Sequence, residues 1–162
     1  MRRAQCEKGV KVLQKYDPKI RNLRDVSMDL LMEHQREMDP VVYKRCKFVL
    51  EENERVHKAC EDLSKDDLSS FGQRLFESHE GLSKDYEVSC EELDILVELA
   101  KGQDGLLGCR MMGGGFGGCT INLVENDQVK TFKEYMSKAY KERTGIEAEI
   151  YITQINGGTR IL

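Results

Sequence analysis

Over the first ~100 positions apolar residues recur at intervals of three, four and seven, the period of helices with one buried face. Asp39-Pro40 marks a helix start, a capping carboxylate followed by proline where no amide hydrogen is missed. Beyond it Val42, Cys46, Val49, Val56, Cys60 and Leu63 form one apolar stripe and predict a long amphipathic helix. Asn53 falls on that stripe. Either its amide is buried and pins a neighbouring loop, or it sits on the helix flank. A second helix, near Asp67 to Lys84, carries Leu68, Phe71, Leu75 and Leu82 on one face, with His79 among them. A histidine there is more often a hydrogen-bonded core residue than a catalytic one. Ser89-Cys90-Glu91-Glu92 reads as an S-x-x-E capping box. It opens a helix through Leu93, Leu96, Val97 and Ala100 that ends near Gly102.

After Gly102 the texture changes. Leu106 to Met112 and Cys119 to Val124 are short runs rich in strand formers, separated by Gly113-Gly114-Gly115-Phe116-Gly117-Gly118. An amphipathic helix follows with Val129, Phe132, Met136 and Tyr140 inward, stopping at Gly145. Ala148, Ile150 and Ile152 then alternate with Glu149, Tyr151 and Thr153, predicting a strand with one buried face. Helices first, then strand, loop, strand, helix and strand, is an α+β pattern with helices packed on a small antiparallel sheet. No internal repeat interrupts it, and 162 residues suit one domain.

Composition narrows the function classes. Charged residues make up 33% and the hydrophobic set 40%, with a net charge of -4 and no dense basic stripe. A nucleic-acid partner is not indicated, because neutralising phosphates needs clustered Lys and Arg. No apolar run reaches the ~20 residues that span a bilayer. Met1-Arg2-Arg3 leads into a polar segment, unlike a signal peptide. The six cysteines (Cys6, Cys46, Cys60, Cys90, Cys109 and Cys119) contain no C-x-x-C pair. They read as buried, reduced thiols of a cytoplasmic protein, without the paired spacing of a zinc site.

The glycine run is the unusual feature. Five glycines in six residues are entropically costly and signal backbone angles or close approaches that a Cβ forbids. Such loops also present amide hydrogens to anions. Gly113, Gly115 and Gly118 formally satisfy G-x-G-x-x-G, but the dinucleotide motif must open a helix and Cys119 to Val124 looks like a strand. A phosphate-binding G-x-x-x-x-G-K-[ST] loop is excluded because no lysine follows. A plain turn between strands would need only two residues.

The segment Leu107-Gly108-Cys109-Arg110-Met111-Met112-Gly113-Gly114-Gly115-Phe116-Gly117-Gly118-Cys119 resembles the third motif of GHMP kinases, in its galactokinase version. Glu77-Ser78-His79, Asp85-Tyr86-Glu87-Val88-Ser89-Cys90-Glu91-Glu92-Leu93-Asp94, Leu23-Arg24-Asp25-Val26 and Glu52-Asn53-Glu54-Arg55-Val56 fit the same family in order and spacing. The resemblance covers nearly the whole chain. It implies a ferredoxin-like plait with extra helices, the GHMP kinase C-terminal domain. It also implies a parent enzyme that moves the γ-phosphate of ATP, with Mg2+, to the anomeric hydroxyl of galactose. A related N-acetylgalactosamine kinase, or a non-catalytic sensor on the same scaffold, stays open on these residues.

In that family the phosphate-wrapping loop, the catalytic aspartate and arginine and most sugar contacts lie in an N-terminal domain. Arg2-Arg3 resembles the tail of a Tyr-Asn-Thr-Arg-Arg segment preceding this domain. The resemblance therefore implies that residues 1–162 hold no catalytic residue and bind no cofactor alone, and that the isolated chain is inactive. The expected contribution is Gly113 to Gly118 as a wall of the nucleotide cleft, supported by Arg110, Met112, Ser89, His79 and Asn53. Arg110 is the one cation of the motif and either holds the loop, senses phosphate or lies on a strand surface. Met112 departs from the family's usual Ser or Thr, so a hydroxyl donor is lost there. An apolar face left for the absent domain, open to self-association, is the expected partner surface. A free-standing interaction module would instead lack such a face.

Overall fold

The chain begins as a helical assembly because its caps and stripes agree. In the computed structural model, which describes residues 1–154, the first part comprises α1 Arg2–Leu13, α2 Met28–Glu33, α3 Pro40–Ser64, α4 Leu68–Lys84 and α5 Glu91–Ala100. Then follow β1 Leu106–Met112, β2 Cys119–Val124 and α6 Val129–Thr144. Asp39 caps α3 as expected, accepting from the Val41 and Val42 amides at 2.9 and 3.3 Å, with Pro40 in the first turn. Ser27 and Asp67 cap α2 and α4 in the same way. Gly145 ends α6 in the left-handed conformation at φ 74°, which a residue with a Cβ resists.

The core has two main parts. Val10, Leu13, Ile20, Leu23, Leu31, Val42, Cys46 and Leu50 bury α1 and α2 against the first half of α3. Val97, Ala100, Cys109, Phe132 and Met136 bury α5 and α6 against the sheet, and a smaller group of Val88, Leu93 and Met111 sits beside them. The two strands run antiparallel, from Met112↔Cys119 to Leu106↔Val124, with an irregularity between Leu106 and Gly108. This is the expected α+β arrangement, helices over a small antiparallel sheet.

Four local expectations change. The α3 stripe divides: Val42 and Cys46 are buried, Val49 and Asn53 half-buried, and Val56, Cys60 and Leu63 exposed. The cause is length, since the 25 residues of α3 outrun the 12 of α1, and the packed cluster stops at Leu50. On α4 the buried positions are Gly72, Ser78, His79 and Gly81 rather than the leucines. There the helix backbone itself meets β1: a Cβ on Gly72 would lie 1.9 Å from the Leu107 carbonyl oxygen, and one on Gly108 2.5 Å from the Gly72 Cα. The S-x-x-E box does not form: α5 begins one residue later than the box requires, with Cys90 in the cap position and no side-chain cap bond, and the Ser89 hydroxyl donates to Asp94 at 2.6 Å. Ala148 and Ile150 are half-buried between exposed neighbours, but Ile152 is exposed, so the expected buried face stops at Ile150; no ladder forms, and only β1 and β2 pair among the described residues.

The thiols also correct the reading. Cys46 and Cys109 are buried and Cys6 and Cys90 half-buried, but Cys60 and Cys119 are exposed, and all six are free. No described helix is long and apolar enough to cross a membrane.

Candidate functional site

The hairpin between β1 and β2 is built as its glycines predict. Gly113, Gly115, Gly117 and Gly118 all have positive φ, from 83° to 129°, and Phe116 joins them at 61°. A non-glycine there is held by something, and the holder is a hydrogen bond: the Phe116 N–H donates to the Val88 carbonyl at 2.7 Å. Gly115 lies so close to the same carbonyl that a Cβ would sit 2.0 Å from its oxygen. The other side is open, since a Cβ on Gly113, Gly114 or Gly117 would meet nothing within 4 Å. No other amide of residues 113–118 finds a backbone acceptor outside the strand ladder among the described residues. One flank of the loop is thus pressed onto the Val88 turn, and the other presents bare main chain.

Around that opening the surface is apolar. Phe116 is 71% exposed and Met112 48%. Register pairs Met112 with Cys119 and Arg110 with Ile121, so these four share one face of the sheet. Cys119 and Ile121 are exposed on it. The face lies on the side away from the buried Cys109 and Met111.

His79 is a structural bolt. Its Nδ1 accepts from the Met111 N–H at 3.2 Å, so Nε2 carries the proton and points it at Asp94 Oδ1, also at 3.2 Å. Asp94 is held in turn by the Ser83 and Ser89 hydroxyls at 2.9 and 2.6 Å. Burial pushes the His79 pKa down, and the Asp94 carboxylate opposes this. Ser89 and His79 are thus hydrogen-bonded into the junction of α4, α5 and β1.

Arg110 does not reach the loop. Its Nη1 donates to Ser78 Oγ at 2.9 Å and lies 3.5 Å from Glu52 Oε1, while Nε donates to the Met111 carbonyl at 3.2 Å. Ser78, fully buried, donates to the same Glu52 oxygen at 2.6 Å, and Arg55 pairs with the other. This network ties β1 to α3 and α4, and it leaves Arg110 engaged rather than free for an anion. Glu52 and Ser78, both missed as site residues, were legible only as motif letters. Asn53 belongs elsewhere: it lines an open groove of about 600 Å³ with Leu23, Arg24, Val26, Arg55 and Arg74, and no hairpin residue lines that groove.

A glycine hairpin bare on one side, seated on the Val88 turn over an α+β scaffold, can serve as a close-packed main-chain wall. Residues 59–142, just over half of the chain, match the family described as GHMP kinases C terminal. The chain belongs to the GHMP kinases. Within that family it is similar to the galactokinase of Roseiflexus sp. (strain RS-1), 41% identical over 97% of this chain and 40% of the relative. The Fusobacterium nucleatum galactokinase is 43% identical over 97% of this chain and 41% of its own length. A crystal structure of Lactococcus lactis galactokinase complexed with galactose superposes with a TM-score of 0.89 at 36% identity, over 97% of this chain and 40% of that one. The chain thus spans about 40% of the length of these GHMP kinase relatives.

Proposed function

We propose that this chain acts as the C-terminal domain of a galactokinase, completing the cleft in which the γ-phosphate of ATP passes to the anomeric hydroxyl of galactose. The observation that carries this reading is the hairpin: positive-φ glycines with bare main chain on one side, beside an exposed apolar sheet face. Relatives called galactokinases at 41% and 43% identity support galactose over an N-acetylated sugar and an enzyme over a sensor.

Phosphoryl transfer is mostly positioning and charge stabilisation, so a wall that fixes phosphates and excludes water contributes without any reacting side chain. Free amides at residues 113–118 suit the anionic nucleotide. Mg2+, when bound with the nucleotide, would supply positive charge that offsets the phosphates. The catalytic side chains belong to a preceding domain that docks on Met112, Phe116, Cys119 and Ile121, and without it this face favours self-association. Free thiols suit a reducing, cytoplasmic setting.

The test is galactose-dependent ATP turnover by the isolated chain and by the chain mixed with the preceding domain of a galactokinase relative. No turnover alone and measurable turnover in the mixture are expected. Robust turnover by the chain alone refutes the division of labour.

A further inference from the structure

The turn that carries the hairpin is itself held in an unusual way. Residues 85–88 leave α4 with four consecutive carbonyls, and each is taken. Arg45 Nη1 donates to the Asp85 carbonyl. Arg2 donates through Nε to the Tyr86 carbonyl and through Nη2 to the Glu87 carbonyl, both at 2.6 Å. The fourth, on Val88, receives the Phe116 amide of the hairpin. Glu87 stands at φ 52°, a left-handed conformation that a residue with a Cβ resists and that the surroundings must impose. Its carboxylate lies between the two arginines, 2.5 Å from Arg45 Nη2 and 3.6 Å from Arg2 Nη2. Arg45 pulls the Glu87 pKa below the usual carboxylate range.

Arg45 is the unexpected member. It projects from the buried face of α3, is only 2% exposed, and leaves its Nε without an acceptor. An apolar side chain would suit that core position better, because a buried guanidinium is costly unless its partners need it. Its partners are the Asp85 carbonyl and the Glu87 carboxylate, both on the strained turn.

We propose that Arg45, Glu87 and Arg2 are positioning residues that set the Val88 carbonyl, and through it the height and angle of the glycine hairpin. The arginines draw the 85–87 backbone onto α1 and α3, Glu87 locks both cations in place, and the Val88 carbonyl is left facing the one amide the hairpin offers. Gly115 and Phe116 are then fixed from below while the open side of the loop stays free. The consequence for the nucleotide rests on the kinase reading above; the platform itself does not.

The experiment is residue-resolved amide hydrogen exchange on the 162-residue chain, wild type against Glu87→Ala and Glu87→Gln. Glu87 is half exposed, so the alanine variant removes no core packing, but it leaves the buried Arg45 with the Asp85 carbonyl alone, and the glutamine variant controls for that loss. Loss of a charge-assisted bond at the turn accelerates Phe116 exchange about tenfold or more in Glu87→Ala. The Phe132 and Met136 amides of α6 keep their wild-type rates. Glu87→Gln, which retains an acceptor oxygen for Arg45, keeps most of the protection. Unchanged Phe116 exchange in Glu87→Ala, or acceleration spread equally over α6, overturns the proposal. In a kinase containing this chain, Glu87→Ala raises the KM for ATP at least about threefold and leaves the KM for the sugar in place, because only the wall has moved. A wild-type protein without turnover would sink the kinase reading and leave the exchange result to decide the platform.

Discussion

Gly72→Ala separates two opposed expectations. In a solvent-exposed helix interior the change would stabilise by about 1 kcal/mol, since alanine loses less backbone entropy than glycine. Here α4 lies directly on β1. The added Cβ would sit 1.9 Å from the Leu107 carbonyl oxygen and 2.4 Å from its carbon, against 3.4 Å for ordinary contact. Both obstacles are backbone, so no rotamer relieves them, and α4 must lift from β1 by about 1.5 Å at that point. Overpacking of this kind costs about 1–3 kcal/mol, and the absence of an escape places it at the upper end. Set against the propensity gain, the net loss is about 2 kcal/mol. For a domain of this size that lowers Tm by about 4–8 °C. Thermal and urea unfolding followed by far-UV circular dichroism would measure it. A variant as stable as wild type, or more so, would refute the claim that glycine sets the helix–strand distance.

Other perturbations probe the hairpin and the buried groups. Gly115→Ala combines a φ of 83° with a Cβ 2.0 Å from the Val88 oxygen. It should cost about 1–3 kcal/mol, whereas Gly114→Ala, which meets nothing, should stay within about 0.5 kcal/mol in the same denaturation assay. Cys6 lies beside the Cys46 thiol, the Tyr86 hydroxyl and the Arg45 guanidinium, which together hold its pKa below the ordinary thiol range. The midpoint of its alkylation by iodoacetamide against pH, followed by peptide mass spectrometry, should fall below the ordinary thiol value of about 8.5; a midpoint at or above it would contradict the assignment. For His79, whose folded pKa is depressed, the unfolded chain binds more protons just below the ordinary value of 6.5. Stability is therefore full above pH 6.5 and falls as the pH drops below it. His79→Gln should flatten that slope, and an unchanged slope would show that another group causes it.

Much of the scaffold was legible because local signals and packing agree. Asp39-Pro40 caps α3, Phe132, Met136 and Tyr140 face inward on α6, and Gly145 ends it. The reading failed where one element's surroundings decide. Val56 and Leu63 carry the right period but project beyond the helices that could cover them. Gly72 and Gly81 are invisible to a hydrophobic pattern, yet they are where α4 meets β1 and Phe48. Ser89 was a fair cap candidate, but α5 starts at Glu91 and puts Cys90 in the cap position instead. At the site the glycines announced a close approach, but not its target, since nothing local ties Phe116 to Val88. Arg110 looked like a free cation because Glu52 and Ser78, 58 and 32 positions away, are joined to it only by the fold.

The central claim is that the bare side of the hairpin is finished by a nucleotide-holding surface on another domain. Hydrogen-exchange mass spectrometry of the peptide spanning residues 112–119, with and without the preceding domain of a galactokinase relative and Mg2+-ATP, addresses it directly. Marked slowing of exchange in that peptide, with α6 peptides unaffected, is the predicted result. Equal exchange in both conditions, under concentrations at which the two domains demonstrably associate, would contradict the account.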